Sequence, residues 1–209
     1  MPGILEPAVE KYLSNLLPAR DAVLADMESY AKEHNIAIIG PDCGRMLSLM
    51  AQISGAKRIF EMGSAIGYSA IWFARATGPS AEIFCTDGDP ANAELARKNF
   101  DRAGVADRIR YMTGEAVDLI DDVEGQFDII LIDVYKHQYP AALKKSLPRL
   151  RSGGLVITDN VLWSGRVTAR PEDDRTRGIL EFNQMIYGSP ELFSVIVPLR
   201  DGVAICRKS

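Results

Sequence analysis

Residues 58–69 read Arg58-Ile59-Phe60-Glu61-Met62-Gly63-Ser64-Ala65-Ile66-Gly67-Tyr68-Ser69. A short apolar run ends in a turn with two glycines and passes at once into Tyr68–Ala76, whose apolar residues recur at helical spacing, so the stretch predicts strand, glycine turn and helix. The same alternation repeats outward. Runs at Glu82–Thr86, Ile109–Thr113, Phe127–Ile132 and Leu155–Thr158 predict further strands, with helices near Pro90–Ala103 and Tyr139–Leu150 between them. Strands alternating with helices predict an α/β fold, with a parallel sheet covered on both faces. Beyond a helix around Thr176–Tyr187 the pattern changes. Phe193–Pro198 and Val203–Cys206 flank Leu199-Arg200-Asp201-Gly202, and Asp-Gly between two apolar runs predicts an antiparallel hairpin. The expected sheet has seven strands, five of them parallel and two in the hairpin.

Upstream of Lys57 the chain reads as helices. Val9, Leu13, Leu16 and Leu17, then Val23, Leu24, Met27 and Tyr30, recur three and four apart, and a third helix is expected from about Asp42 to Ile53. With 209 residues and no linker, repeat or low-complexity tract, one domain is expected: a helical extension over 1–55 and an α/β core over 57–209. A net charge of -4 disfavours a protein built around nucleic-acid backbone. The three cysteines, Cys43, Cys85 and Cys206, fit neither a disulfide framework nor a zinc motif. Reduced thiols in a cytoplasm are expected. No secretory leader is read at the start, and no apolar stretch is long enough for a membrane span.

The turn after the first strand lies where open α/β sheets bind ligands, at the carboxyl end of a strand. A dinucleotide fingerprint needs glycines at 63, 65 and 68, but the chain has Gly63, Ala65 and Tyr68. The turn therefore suits a close approach of backbone to a ligand that carries no pyrophosphate. Asp87 ends the second strand 87 - 63 = 24 residues beyond the first glycine, near the spacing at which an acid accepts from ribose hydroxyls. Asp89 before Pro90 reads instead as a helix N-cap. A ribose without a pyrophosphate points to S-adenosylmethionine. At the end of the third strand, Gly114-Glu115-Ala116 can offer a backbone amide to an adenine edge.

The fourth and fifth strands also end in oxygen ligands. Asp133 and Lys136 follow Phe127–Ile132, while Asp159 and Asn160 follow Leu155–Thr158. Adjacent strands lie about 4.8 Å apart, so the two carboxylates and the amide can converge. Without Cys or His, such a set suits a hard cation, Mg²⁺ first, with Mn²⁺ or Ca²⁺ as alternatives. The competing reading is that Asp133 and Asp159 only cap the segments after them.

From Asn35 to its end the chain resembles the metal-dependent class I S-adenosylmethionine O-methyltransferases, the family of catechol and caffeoyl-CoA O-methyltransferases. The motifs are Glu61-x-Gly63-x-x-x-Gly67-Tyr68-Ser69, Asp87, Asp133-x-x-Lys136-x-x-Tyr139 and Asp159-Asn160-x-Leu162-Trp163-x-Gly165. The resemblance implies a Rossmann-like methyltransferase fold. It also implies metal ligation by Asp133, Asp159 and Asn160, with Lys136 as catalytic base. The cofactor would lie against Ile39, Glu61, Gly63, Ser64, Gly67, Tyr68, Ser69, Asp87, Gly88, Ala116, Asp133 and Tyr135. Plant members commonly have acids two and four residues after the metal aspartate, where this chain has Tyr135 and His137. The expected acceptor is a small phenolic, a vicinal dihydroxy aromatic. A hydroxylated tRNA base is the alternative acceptor, and a non-catalytic nucleotide-binding module the alternative class. Trp163 either walls the acceptor pocket or is simply packed, and Arg166–Arg177 either closes over the acceptor or caps the next helix. The N-terminal helices resemble those that support homodimers in bacterial and plant members.

Overall fold

The computed structural model describes residues 4–209. Three helices come first: α1 (Pro7–Leu16), α2 (Ala22–Glu33) and α3 (Gly40–Ser54). Glu6 and Asp21 cap the first two, their carboxylates accepting from first-turn amides, and α3 ends on Gly55 in the left-handed conformation. The core then alternates β1 (Arg58–Met62), α4 (Tyr68–Ala76), β2 (Glu82–Asp87), α5 (Pro90–Ala103), β3 (Ile109–Thr113), α6 (Ala116–Leu119), β4 (Phe127–Ile132), α7 (Tyr139–Arg149) and β5 (Leu150–Thr158). Helix α8 (Asp174–Gly188) precedes the hairpin of β6 (Leu192–Val197) and β7 (Val203–Lys208). Asp89 is the N-cap of α5, accepting from Ala91 N.

The strands form one seven-stranded sheet in the order β3-β2-β1-β4-β5-β7-β6. Strands β1 to β5 are parallel, and β7 runs antiparallel to both β5 and β6. Strand β5 begins five residues before the expected Leu155, because Leu150 already pairs with Phe127 and a bulge with Gly153 in the left-handed region carries the chain onward. Short α6 had no sequence signal, since four residues are too few to show a period.

Alternation along the buried strands divides the core between the two faces of the sheet. Ile59, Ile83, Ile129, Leu131 and Ile157 meet α2, α3, α4 and α5. Phe60, Phe84, Ile130, Ile132 and Val156 meet α6, α7 and α8. Neighbouring β1 and β4 therefore send their following helices to opposite faces, and the crevice between their carboxyl ends is the place for a ligand. All three cysteines are free and buried. Among the described residues, no helix is long and apolar enough to cross a membrane.

Candidate active site

The turn after β1 is fastened at several points. Gly63 N and Ser64 N donate to Thr86 O at 3.1 and 2.8 Å, and Thr86 N donates back to Ser64 Oγ at 3.1 Å. Gly63 has φ +89°, and a Cβ there would press on the Asp133 carbonyl, 2.8 Å from its carbon. Only glycine lets the ends of β1 and β4 touch at this point. Gly67 has φ +83° and packs on the Phe100 ring. Between them Ala65 is held in the left-handed region at φ +43°, its N–H donating to Asp87 Oδ2 (3.0 Å) and its carbonyl accepting from Tyr111 OH (2.6 Å).

Asp87 Oδ1 accepts from Asp89 N (2.9 Å) and Asn92 Nδ2 (3.1 Å), so the side chain is oriented before any ligand arrives. Glu61 is wholly buried on the β1 side of the crevice; Ser69 Oγ donates to its Oε1, and its Oε2 has no partner. Burial pushes the Glu61 carboxyl up to about 8, against the lowering effect of hydrogen bonds from Ser69 and Ser64. Gly88 faces open space, and Ala116 is buried at the start of α6. Ile39 is buried with the first core cluster directly before α3. The Tyr68 side chain leaves the turn altogether. It is 1% exposed and its hydroxyl donates to Glu28 Oε1 of α2 at 2.7 Å, where Arg20 also holds that carboxylate.

Across the β1–β4 seam, Asp133 and Asp159 are the residues immediately after the paired positions Ile132 and Thr158. Lys136, in a single 3-10 turn, is 9% exposed; its Nζ donates to Asp133 Oδ1 at 2.8 Å and to Tyr139 OH at 2.6 Å. Tyr139 is fully buried and donates in turn to the Asp159 carbonyl at 2.7 Å. A carbonyl can only accept, so the Tyr139 proton is committed to it and the phenolic oxygen is left to accept from Lys136. Asp159 is 5% exposed, and burial together with the Asp133 charge pushes its carboxyl up while Arg200 and Lys136 oppose the rise. Asn160 follows at φ +57°, a conformation that asparagine tolerates better than most residues. The Tyr139 phenol is raised by burial and by Asp133, Asp159 and Asp201.

Sequence reasoning missed two residues that shape this half. Asp201 is 4% exposed and accepts from Ser164 N through Oδ1, while Oδ2 is buried without a partner. Burial pushes its carboxyl up. Gly178 of α8 lies against the backbone of Lys136 and His137, where a Cβ would sit 2.7 Å from His137 Cα. Neither had a local signal: one reads as a hairpin residue, the other as a helix glycine. Tyr135 is 69% exposed with its ring parallel to that of His137, centroids 6.0 Å apart. Trp163 packs partly into the second core cluster with its indole N–H buried and unpartnered, and the Arg166 guanidinium lies 5.7 Å over its ring. Within Arg166–Arg177, Asp173 caps α8 through Thr176 N (2.8 Å).

The donor chemistry fits a hard divalent cation. Asp133 and Asp159 lie close enough for the one charge to oppose ionisation of the other, with Lys136 and Arg200 opposing that effect, and Asn160 adjoins Asp159 in the chain, so two carboxylates and an amide would suit such an ion. Among the described residues, no three His, Cys, Asp or Glu side chains gather closely enough to hold a metal ion by themselves.

A family model described as O-methyltransferase matches residues 19–209. A catechol O-methyltransferase of Niastella koreensis is 34% identical over 210 residues, covering 95% of this chain and 95% of that protein. A catechol O-methyltransferase of Mycobacterium tuberculosis is 34% identical over 170 residues, covering 80% and 77%. The crystal structure of the O-methyltransferase from Bacillus cereus in complex with SAH superposes with a TM-score of 0.88 at 29% identity, over 97% of both chains.

Proposed function

The chain belongs to the O-methyltransferase family, as an S-adenosylmethionine-dependent enzyme, and from that premise we propose that it methylates one hydroxyl of a small catechol-like acceptor with the help of a divalent cation. The observation that carries this reading is the Lys136 Nζ held between Asp133 Oδ1 and Tyr139 OH, beside the adjoining Asp159 and Asn160. The cofactor would lie in the crevice over the Gly63–Gly67 turn, with Asp87 receiving the ribose hydroxyls. Glu61, Ser64, Ser69, Gly88, Ala116, Asp133, Tyr135 and the main chains of Ile39 and Tyr68 would line the same crevice. Asp133, Asp159 and Asn160 would hold the cation.

A divalent cation bound there supplies positive charge that favours ionisation of an acceptor hydroxyl, whose phenolic pKa is otherwise about 10. Lys136, entering the step as the neutral amine, would take up that proton on the Nζ lone pair and become the ammonium. Its two fixed acceptors, Asp133 and Tyr139, hold two N–H bonds of that amine and leave its lone pair for the incoming proton. The acceptor oxygen would then attack the methyl carbon in line, the C–O bond forming as the C–S bond breaks and neutral S-adenosylhomocysteine leaves, a step that depends on alignment more than on covalent help. The fastened β1 turn and the β4–β5 ends provide that alignment on the two sides of the seam. With a net charge of -4, a small phenol fits better than tRNA. We extend the proposal to a homodimer: on edge strand β6, Phe193, Val195 and Val197 share one outward face and are 78%, 46% and 36% exposed.

The test is transfer of labelled methyl from S-adenosylmethionine to catechols, caffeoyl esters and undermethylated tRNA, with and without chelator. Transfer is expected to the catechols and to stop on complete chelation; transfer that survives metal removal overturns the mechanism. Lys136→Ala should lose about 10²- to 10⁴-fold in kcat while binding S-adenosylhomocysteine within twofold of wild type. Unchanged turnover removes Lys136 as the base.

A further inference from the structure

An aspartate in a hairpin turn normally sits in solvent and hydrogen-bonds its own turn. Asp201 does neither. It is 4% exposed, and its carboxylate reaches out of the Leu199–Gly202 turn to accept from Ser164 N, 37 residues earlier in the chain. Two backbone bonds run beside it, Leu162 N to Asp201 O and Val161 N to Gly202 O, both 3.0 Å. Gly202 has φ +82° and lies flush on Leu162, where a Cβ would sit 2.7 Å from Cδ1. The segment so held is strained: Asn160, Trp163, Ser164 and Gly165 have φ of +57°, +48°, +52° and +79°. Three of these are not glycine, and such conformations persist only where surrounding contacts over-determine them.

We propose that Asp201 is a positioning residue, whose buried carboxylate latches the 161–165 segment to the β6–β7 turn and so fixes Asn160 and Trp163 on the acceptor side of the site. Carboxylate is the side chain suited to this task, because a charge-assisted bond to a backbone N–H is stronger than a neutral one. Among the charges facing it are those of Lys136 and Arg200, which offset part of the cost of burying it. Arg200 holds a different segment from the same turn, donating to Ile38 O at 3.3 Å. This inference rests on the proposed cation set. The latch itself, however, is readable without any metal.

The experiment compares wild type with Asp201→Ala, Asp201→Asn and Arg200→Ala by amide hydrogen exchange of 160–168 in ligand-free protein, Mn²⁺ binding by paramagnetic resonance, and S-adenosylhomocysteine binding. Asp201→Ala should speed exchange in 160–168 about tenfold or more. It should also weaken Mn²⁺ binding by about 10- to 100-fold, as loss of an outer partner does, with S-adenosylhomocysteine affinity within twofold. Asp201→Asn keeps an oxygen acceptor and should fall between; it carries the test if the alanine variant does not fold. Arg200→Ala removes a facing charge but leaves the bond to Ser164 N, and should speed exchange in 160–168 far less than Asp201→Ala does. Wild-type exchange in both Asp201 variants overturns the latch. A wild-type protein that binds no Mn²⁺ overturns the cation set instead, and the exchange data still decide the latch.

Discussion

Gly178→Ala sets two effects of opposite sign against each other. Alanine is favoured over glycine inside a helix by about 1 kcal/mol, so propensity alone predicts a more stable protein. The structure predicts the reverse. A Cβ at 178 would press on the Lys136 carbonyl oxygen, 2.7 Å from His137 Cα and 3.1 Å from the Lys136 carbonyl carbon. All three neighbours are backbone, so no side chain can swing away, and α8 must move off the Lys136 turn by about 1 Å to restore van der Waals distance. Overpacking of this kind costs about 1–3 kcal/mol, leaving a net loss of about 0–2 kcal/mol after the helix gain. At about 2–4 °C per kcal/mol for a chain of this size, the melting temperature should fall by up to about 8 °C. Activity should fall further. The displaced turn carries Lys136, and a 1 Å misplacement of a reacting group costs about 100-fold in rate. Thermal melts, kcat on the best catechol and S-adenosylhomocysteine affinity measure the three quantities, and the last should fall far less than kcat because most of the proposed cofactor contacts lie on the β1 and β2 side of the crevice. A variant that melts higher than wild type with undiminished kcat would show that helix propensity wins and that the tight α8 contact does not position Lys136.

Two further predictions concern the cofactor side. The Glu61 carboxyl is pushed up from 4.5 to about 8, so between those values the folded protein binds more protons than the unfolded chain. Its contribution to stability is fully present below about pH 4.5 and is lost as pH rises through about 8, with a slope of up to about 1.4 kcal/mol per pH unit. Urea unfolding of ligand-free Glu61→Gln should lack that slope; a pH dependence parallel to wild type refutes it. Tyr68→Phe removes the hydroxyl that donates to Glu28 but leaves Arg20 on the same carboxylate, so stability should fall by only about 0.5–1.5 kcal/mol. S-adenosylhomocysteine affinity should stay within twofold, and a loss above fivefold would place the hydroxyl at the cofactor.

Much of the fold is legible because buried parallel strands are continuous apolar runs, and an acid directly after such a run, as at Asp87, Asp133 and Asp159, announces a strand's carboxyl end. The start of β5 was hidden, since Arg151-Ser-Gly-Gly154 has turn composition and becomes strand only through pairing of Leu150 with Phe127. Tyr68 sits on the glycine turn in sequence, yet its hydroxyl serves a carboxylate 40 residues upstream. Asp201 and Gly178 acquire their roles from close approaches between distant segments, and no local pattern encodes these.

Strand order has a consequence for how such enzymes diverge. The sheet edge β3-β2-β1 is built wholly from residues up to 113 and β4-β5-β7-β6 wholly from residues 127–208, with the seam at Gly63 and Asp133. Under the proposed assignment, most cofactor contacts belong to one half and the acceptor side to the other. A recombination falling in the 123–126 loop between them would transplant acceptor preference from one relative to another while leaving the methyl donor's site inherited intact. The two core clusters that both parts share, polar ties such as Asp128 to the Lys57 and Arg58 amides and Arg149 to the Ile120 carbonyl, and Arg200 with its grip on Ile38 would have to match.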